Sequence, residues 1–196
     1  MSDEETLGVY ARKAADYASL TKPAKADRHL AAFLEAVPQG GRILDLGCGP
    51  GYAAKAMAEA GRSVLATDAV AEMVALAAQH PGVEARQQSF DGPLEADGFH
   101  GIWANFSLLH APRAAMQGHL GHLHKALKSS GIFHIGMKLG TGSKRDSIGR
   151  LYTYYTEEEL VGLLEDAGLR VTDRSFGRDV GLDGTEADWI CLLARG

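Results

Sequence analysis

Gly47-Cys48-Gly49-Pro50-Gly51 stands between the apolar run Arg42–Leu46 and a helix-forming stretch that opens at Tyr52. Glycines there let a ligand approach the backbone, and the first N–H groups of the following helix lack partners, so the place suits a nucleotide-like cofactor. A dinucleotide fingerprint G-x-G-x-x-G needs its last glycine where Tyr52 stands; here the third glycine comes one residue early, which disfavours NAD and FAD. Asp68 ends the next apolar run about 20 residues after the loop, where a carboxylate can accept both hydroxyls of an adenosine ribose. The chemistry indicated is adenosine binding without a pyrophosphate.

Ile43-Leu44-Asp45-Leu46-Gly47-Cys48-Gly49-Pro50-Gly51 resembles the first motif of class I S-adenosylmethionine-dependent methyltransferases. The likeness continues through Thr67-Asp68-Ala69, Gln88-Ser89-Phe90-Asp91, Ala104-Asn105-Phe106 and the turn Ala126-Leu127-Lys128 to Gly131, and covers roughly Phe33 to the C-terminus. It departs at Ser129-Ser130, where Pro-Gly is usual, and lacks the Pro-Pro-aromatic run of enzymes that methylate nucleobase amines. The resemblance implies a three-layer Rossmann-like α/β fold and S-adenosyl-L-methionine as cofactor. It further implies Asp45 and the backbone of Gly47 and Gly49 at the methionine moiety, and Asp68 with Ala69 at the ribose. Ser89 and Phe90 backbone groups with Met73 would hold the adenine, and Asn105 and Phe106 would border the methyl and the acceptor. Cys48 supplies the small side chain the loop needs. Trp103–His110, Lys138, Arg145-Asp146, Gly149-Arg150 and Tyr152-Thr153-Tyr154-Tyr155 look most like the tellurite-resistance and trans-aconitate-type small-molecule enzymes.

Other side chains invite roles of their own. Tyr10 and Tyr17, seven apart and thus near one helix face, either form a lid over the cofactor or pack against the domain. Lys138, Lys144, Arg145 and Arg150 stand against Asp146 alone after the fifth strand, where an α/β sheet opens its crevice; they bind an anionic acceptor or lie in a solvated Gly/Ser loop. His110 comes after the fourth strand and suits a general base, which a carboxylate or thiolate acceptor would not need. His119, His122 and His124 match no metal-binding pattern and read as surface histidines, so no metal is expected.

These residues need a scaffold, and the hydrophobic pattern lays it out. Apolar residues at helical spacing from about Glu5 to Val37 predict two helices, with Pro23 in the first turn of the second. Strands come next at Arg42–Leu46, Ser63–Asp68, Val83–Gln88, Gly101–Phe106 and Ile132–Met137, with helices at 52–60, 69–79 and 112–127 between them; that alternation implies a parallel sheet. Gly131 marks the turn into the fifth strand, and Thr156–Glu159 opens a last helix with a capping-box pattern. Leu169–Phe176 and Asp188–Ala194 then form an antiparallel finish, giving a mostly parallel seven-stranded sheet with an antiparallel C-terminal strand. One domain over 1–196 is expected, with a helical cap at 1–38 and a core at 39–196.

The 196 residues, 45% hydrophobic with a net charge of −5, suit one globular domain and supply no basic field for nucleic acid. Two cysteines are too few for a disulfide framework or a four-cysteine zinc site, and no apolar run approaches a membrane span, so a cytoplasmic protein is expected. The function expected is methyl transfer to a small, anionic acceptor. The alternatives are a sensor or scaffold that binds the cofactor without turnover, and methylation of tRNA or protein; the oligomeric state is left open.

Overall fold

The apolar runs become strands buried on both faces, as in a parallel sheet covered by helices: β1 (Arg42–Leu46), β2 (Ser63–Asp68) and β4 (Phe99–Asn105) expose almost nothing. With β3 (Val83–Gln87), β5 (Leu127–Lys138), β8 (Arg170–Val180) and β9 (Glu186–Arg195) they make a seven-stranded sheet ordered β3-β2-β1-β4-β5-β9-β8. Pairing is parallel from β3 to β5, and β9 runs antiparallel to both its neighbours. The computed structural model describes residues 3–21 and 27–196, so the expectation for Pro23 lies outside the described residues.

Side chains alternate across the sheet and fix two helical layers. Leu30 and Phe33 of α3 (Arg28–Ala36) and Ala54 and Met57 of α4 (Tyr52–Glu59) cover Ile43, Val64, Ala66 and Trp103 on one face. Met116, Leu120 and Leu123 of α6 (Met116–Ala126) and Leu160 and Leu164 of α7 (Glu157–Asp166) cover Leu44, Leu46, Ile102, Phe133 and Ile135 on the other. The capping box of α7 is formed as its sequence predicts: Thr156 accepts from Glu159 N–H and the Glu159 side chain accepts from Thr156 N–H. Before β1 the described residues hold α1 (Glu4–Arg12) and α2 (Ala14–Thr21) as well as α3. The two expected helices are thus three, because the chain breaks at Lys13. Leu7, Tyr10, Ala11 and Tyr17 pack around Met73 of α5 (Ala71–Ala77), which seats α1 and α2 over the C-terminal ends of β1 and β2.

Three more features differ from the sequence reading. The left-handed turn residue before the inner part of β5 is Ser130, at φ 61°, and Gly131 lies in the strand. The loop expected after β5 contains a small hairpin, β6 (Ser143–Arg145) paired with β7 (Leu151–Thr153). Finally, β8 and β9 run further than expected, pairing out to Val180 and Glu186 beyond the end of β5, so a two-stranded arm projects past the sheet.

Candidate active site

The turn after β1 is held closed by its own backbone. Gly47 and Cys48 N–H both donate to Thr67 O, at 2.8 and 2.9 Å, and tie the loop to the end of β2. Gly47 adopts φ 70°, and a Cβ there would come within 2.4 Å of Ser107 Cβ, so only glycine admits this approach to the end of β4. Beside the turn lies Asp45, 2% exposed, with Oδ2 lacking any partner; the Ser107 hydroxyl is likewise buried and unpartnered. Burial, reinforced by the Asp68 charge, pushes the Asp45 carboxyl up to about 7. An orphaned carboxylate oxygen in such a place fits a cationic ammonium such as that of a methionine moiety.

Asp68 is fixed rather than free to turn. Oδ2 accepts from Gly49 N–H and Oδ1 from Val70 N–H, both at 2.9 Å, which leaves lone pairs for ribose hydroxyls while burial raises its pKa. Gly47, Gly49, Asp68, Ala69, Met73 and Phe90 line one narrow cavity of about 80 Å³, covered by Thr6, Leu7, Tyr10 and Tyr17 of the cap. Asp45, Cys48, Ser89 and Asn105 do not line it. Cys48 points its thiol at Gly49 O, at 3.5 Å, and burial pushes that thiol far up; Ser89 O accepts Gly92 N–H. Asn105 Oδ1 is 3.0 Å from His134 Nε2, and that ring stacks on Trp103 at 3.7 Å, so the Asn105 side chain serves the interior of the sheet. Phe106, held at φ 53°, does reach the cavity.

A second cavity, of about 530 Å³, shares Tyr10, Tyr17, Phe106 and His110 with the first. Between the two runs a buried polar chain. His110 Nδ1 lies 2.7 Å from Leu151 O and Nε2 lies 2.9 Å from the Tyr10 hydroxyl. A carbonyl can only accept, so Nδ1 carries the proton and Nε2 takes that of Tyr10. Arg150 Nη1 donates to the Tyr10 oxygen at 3.0 Å, and Arg150 in turn pairs with Asp146, its Nη2 2.7 Å from Oδ2, where both side chains are almost wholly buried. Burial pushes His110 down to about 4, so the ring is neutral at pH 7.

The four cations of 138–150 divide between two cavities. Lys138 and Arg150 line the second; Lys138, Lys144 and Arg145 line another of about 610 Å³ together with Asp146 and Asp183, and Arg145 also pairs with Asp3 and Glu5 of the cap, at 2.7 and 3.1 Å. Of the three histidines of α6, His119 is buried, 4% exposed with Nδ1 3.4 Å from Asp91, while His122 and His124 are half-buried, the first reaching Gly92 O and the second lying against Gly168. Leu120 and Leu123 set that helix face inward and carry His119 with them. Among the described residues no group of three or more His, Cys, Asp or Glu side chains could hold a metal ion, and no helix is long and apolar enough to cross a membrane. Sequence reasoning passes over Ser107, Trp189 and the arm residues 179–187 of the second cavity. They carry no local motif; only the strand register brings Trp189 opposite Lys138.

A family model described as a methyltransferase domain matches residues 43–131, the segment from β1 to the start of β5 that lines the first cavity. No curated relative matches the chain. The fold is that of 1,6-didemethyltoxoflavin-N1-methyltransferase from Burkholderia thailandensis, solved with 1,6-didemethyltoxoflavin and S-adenosylhomocysteine: TM-score 0.79, 24% identity, 98% of this chain and 87% of that one. A S-adenosylmethionine-dependent methyltransferase from Methanosarcina mazei is similar at TM-score 0.75 and 18% identity over 87% and 98% of the two chains. The [4+2]-cyclase SpnF is similar at 0.74 and 17% over 96% and 93%. A methyltransferase-domain match over residues 43–131, on the fold of solved S-adenosylmethionine-dependent methyltransferases, supports an enzyme that uses S-adenosylmethionine.

Proposed function

We propose that this protein transfers a methyl group from S-adenosylmethionine, held in the first cavity, to a small acceptor held in the second. The observation that carries this reading is the wall of Tyr10, Tyr17, Phe106 and His110 common to both cavities, which sets a donor and an acceptor side by side. Asp45 would hold the ammonium of the methionine moiety, Asp68 the ribose, and Met73 and Phe90 the adenine; Gly47 and Gly49 shape the loop, since the N–H of each is already bonded. Bound S-adenosylmethionine supplies an electrophilic methyl on a sulfonium. The chain's own part is to position the acceptor, exclude water beneath the cap and handle a proton. Where the acceptor carries N–H or O–H, its proton can pass to the Tyr10 oxygen as Tyr10 passes its own to His110 Nε2, with the Arg150 hydrogen bond holding that oxygen in place.

The neighbour solved with 1,6-didemethyltoxoflavin supports a small-molecule acceptor. A tellurite or trans-aconitate type would need an inorganic or aliphatic ligand, which the aromatic lining of the second cavity does not favour. A second reading, cofactor binding without methyl transfer, has the cyclase SpnF in its favour, because a cyclase shares the fold. Incubation with methyl-labelled S-adenosylmethionine and, separately, a deproteinised metabolite extract, bulk tRNA and cell protein decides among these. Label in the metabolite fraction is expected; label only in tRNA or protein overturns the acceptor class, and S-adenosylhomocysteine binding with no label anywhere favours the second reading.

A further inference from the structure

We propose that the acceptor is a flat aromatic monoanion whose ring lies against Phe106, Tyr152 and Trp189 and whose charged oxygen meets Lys138 Nζ. This rests on the methyl-transfer reading and narrows its acceptor. The cavity of about 530 Å³ takes a ligand of one or two rings.

Its aromatic wall is built by strand register. Trp189 pairs with Lys138 across β5 and β9 and with Gly177 across β9 and β8; residues directly opposite on antiparallel strands share a face, so the indole and the ammonium lie on one side of the sheet. A Cβ on Gly177 would come within 2.1 Å of the Trp189 ring, so β8 omits a side chain where the indole lies. Trp189 Nε1 donates to Asp179 Oδ2 at 2.8 Å, and Phe106 meets the indole edge-on, centroids 6.2 Å apart. Tyr152 and His110 form the facing side, their rings 4.7 Å apart.

Charge sets the second requirement. Arg150 is paired with its buried partner Asp146 and its Nη1 is engaged by Tyr10, so its charge is already compensated within the protein, and only the buried Nη2 keeps no hydrogen bond among the described residues. Asp179 is exposed and occupied by the indole N–H. Lys138 Nζ stands 4.1 Å over the Tyr152 ring and makes no ion pair or hydrogen bond among the described residues. One unpaired cation in a cavity that is mostly apolar matches one anionic group; further carboxylates would be desolvated without partners, and a saturated ring would forgo the aromatic contacts.

Calorimetric titration of the full-length protein, saturated with S-adenosylhomocysteine, against benzoate, cyclohexanecarboxylate, benzamide and citrate tests this. The titration with S-adenosylhomocysteine alone is done first and reads the cofactor site separately. Benzoate is expected to bind at least about tenfold more tightly than each of the others, a difference of about 1.4 kcal/mol. Lys138→Gln is expected to bring benzoate down to the level of benzamide, while Lys138→Arg keeps the preference. Citrate or cyclohexanecarboxylate binding as well as benzoate overturns the proposal, as does benzoate affinity unchanged in Lys138→Gln or no benzoate binding at millimolar concentration. Benzoate binding with no S-adenosylhomocysteine binding sinks the methyltransferase reading instead and leaves the ligand class standing.

Discussion

Asp45 joins a buried site, an unpartnered oxygen and a carboxyl pushed up to about 7 chiefly by burial. If it holds the cofactor's ammonium, it must do so as a carboxylate, so below pH 7 a proton competes with the ligand. S-adenosylhomocysteine should therefore bind more tightly as pH rises from 6 to 7, level off above about 8, and release a proton on binding at pH 6. Calorimetry in buffers of different ionisation enthalpy measures this directly; Asp45→Asn should abolish the dependence, and affinity flat between pH 6 and 8 would remove Asp45 from that role. Asp68→Ala should weaken the same ligand by about 1.5–3 kcal/mol, the scale of hydrogen bonds to a charged group, and an unaltered Kd in a folded variant would exclude it from the site. Asp68 is legible in the sequence from its place at a strand end after the glycine turn, and Asp45 only through the resemblance of its motif. The Asp146–Arg150–Tyr10–His110 chain is not, since its links join positions up to 140 residues apart.

Elements are legible where their own residues determine them. The α7 start is such a case: Thr156 and Glu159 satisfy each other's backbone, so Thr156→Ala should cost about 1 kcal/mol in urea denaturation with an unchanged m-value. A loss below a few tenths of that would mean the tertiary contacts of Leu160 and Leu164 hold the helix end without the cap. The hairpin β6–β7 is hidden because Ser143, Lys144 and Arg145 are all exposed, leaving no alternation to read; its turn is instead set by Asp146 Oδ1, which accepts from Ile148 and Arg150 N–H. The arm of β8 and β9 reads as ending at Phe176 because Gly177 looks like a breaker, whereas its missing side chain makes space for an indole 12 residues on.

Across the whole molecule the cap is strapped through Asp3 and Thr6, which line the first cavity, and through Glu5 to the chain after β5. Arg145 pairs with Asp3 and Glu5 and holds the Asp3 carboxyl well below its usual range, while Leu151 N–H donates to Thr6 Oγ1 at 2.8 Å. The cavity beneath, about 80 Å³, is much smaller than the roughly 300–1,000 Å³ of ordinary ligand sites, so outward movement of α1 and α2 is the expected route by which a cofactor enters and leaves. Arg145→Ala should therefore raise the dissociation rate of S-adenosylhomocysteine severalfold in stopped-flow displacement. Molar salt should have the same effect on the wild type, because the pairs are exposed. Equal rates in variant and wild type would show that the straps do not govern release.

Of the residues that line the second cavity, only Phe106, Leu109 and His110 fall within 43–131; the others come from the N-terminal helices and from the chain between the end of β5 and the start of β9. Among the described residues, none after residue 131 lines the first cavity. Apart from the shared wall of Tyr10, Tyr17, Phe106 and His110, the two cavities are thus lined by separate stretches of the chain, and substitutions after residue 131 would rewrite the vocabulary of the second without disturbing the grammar of the first.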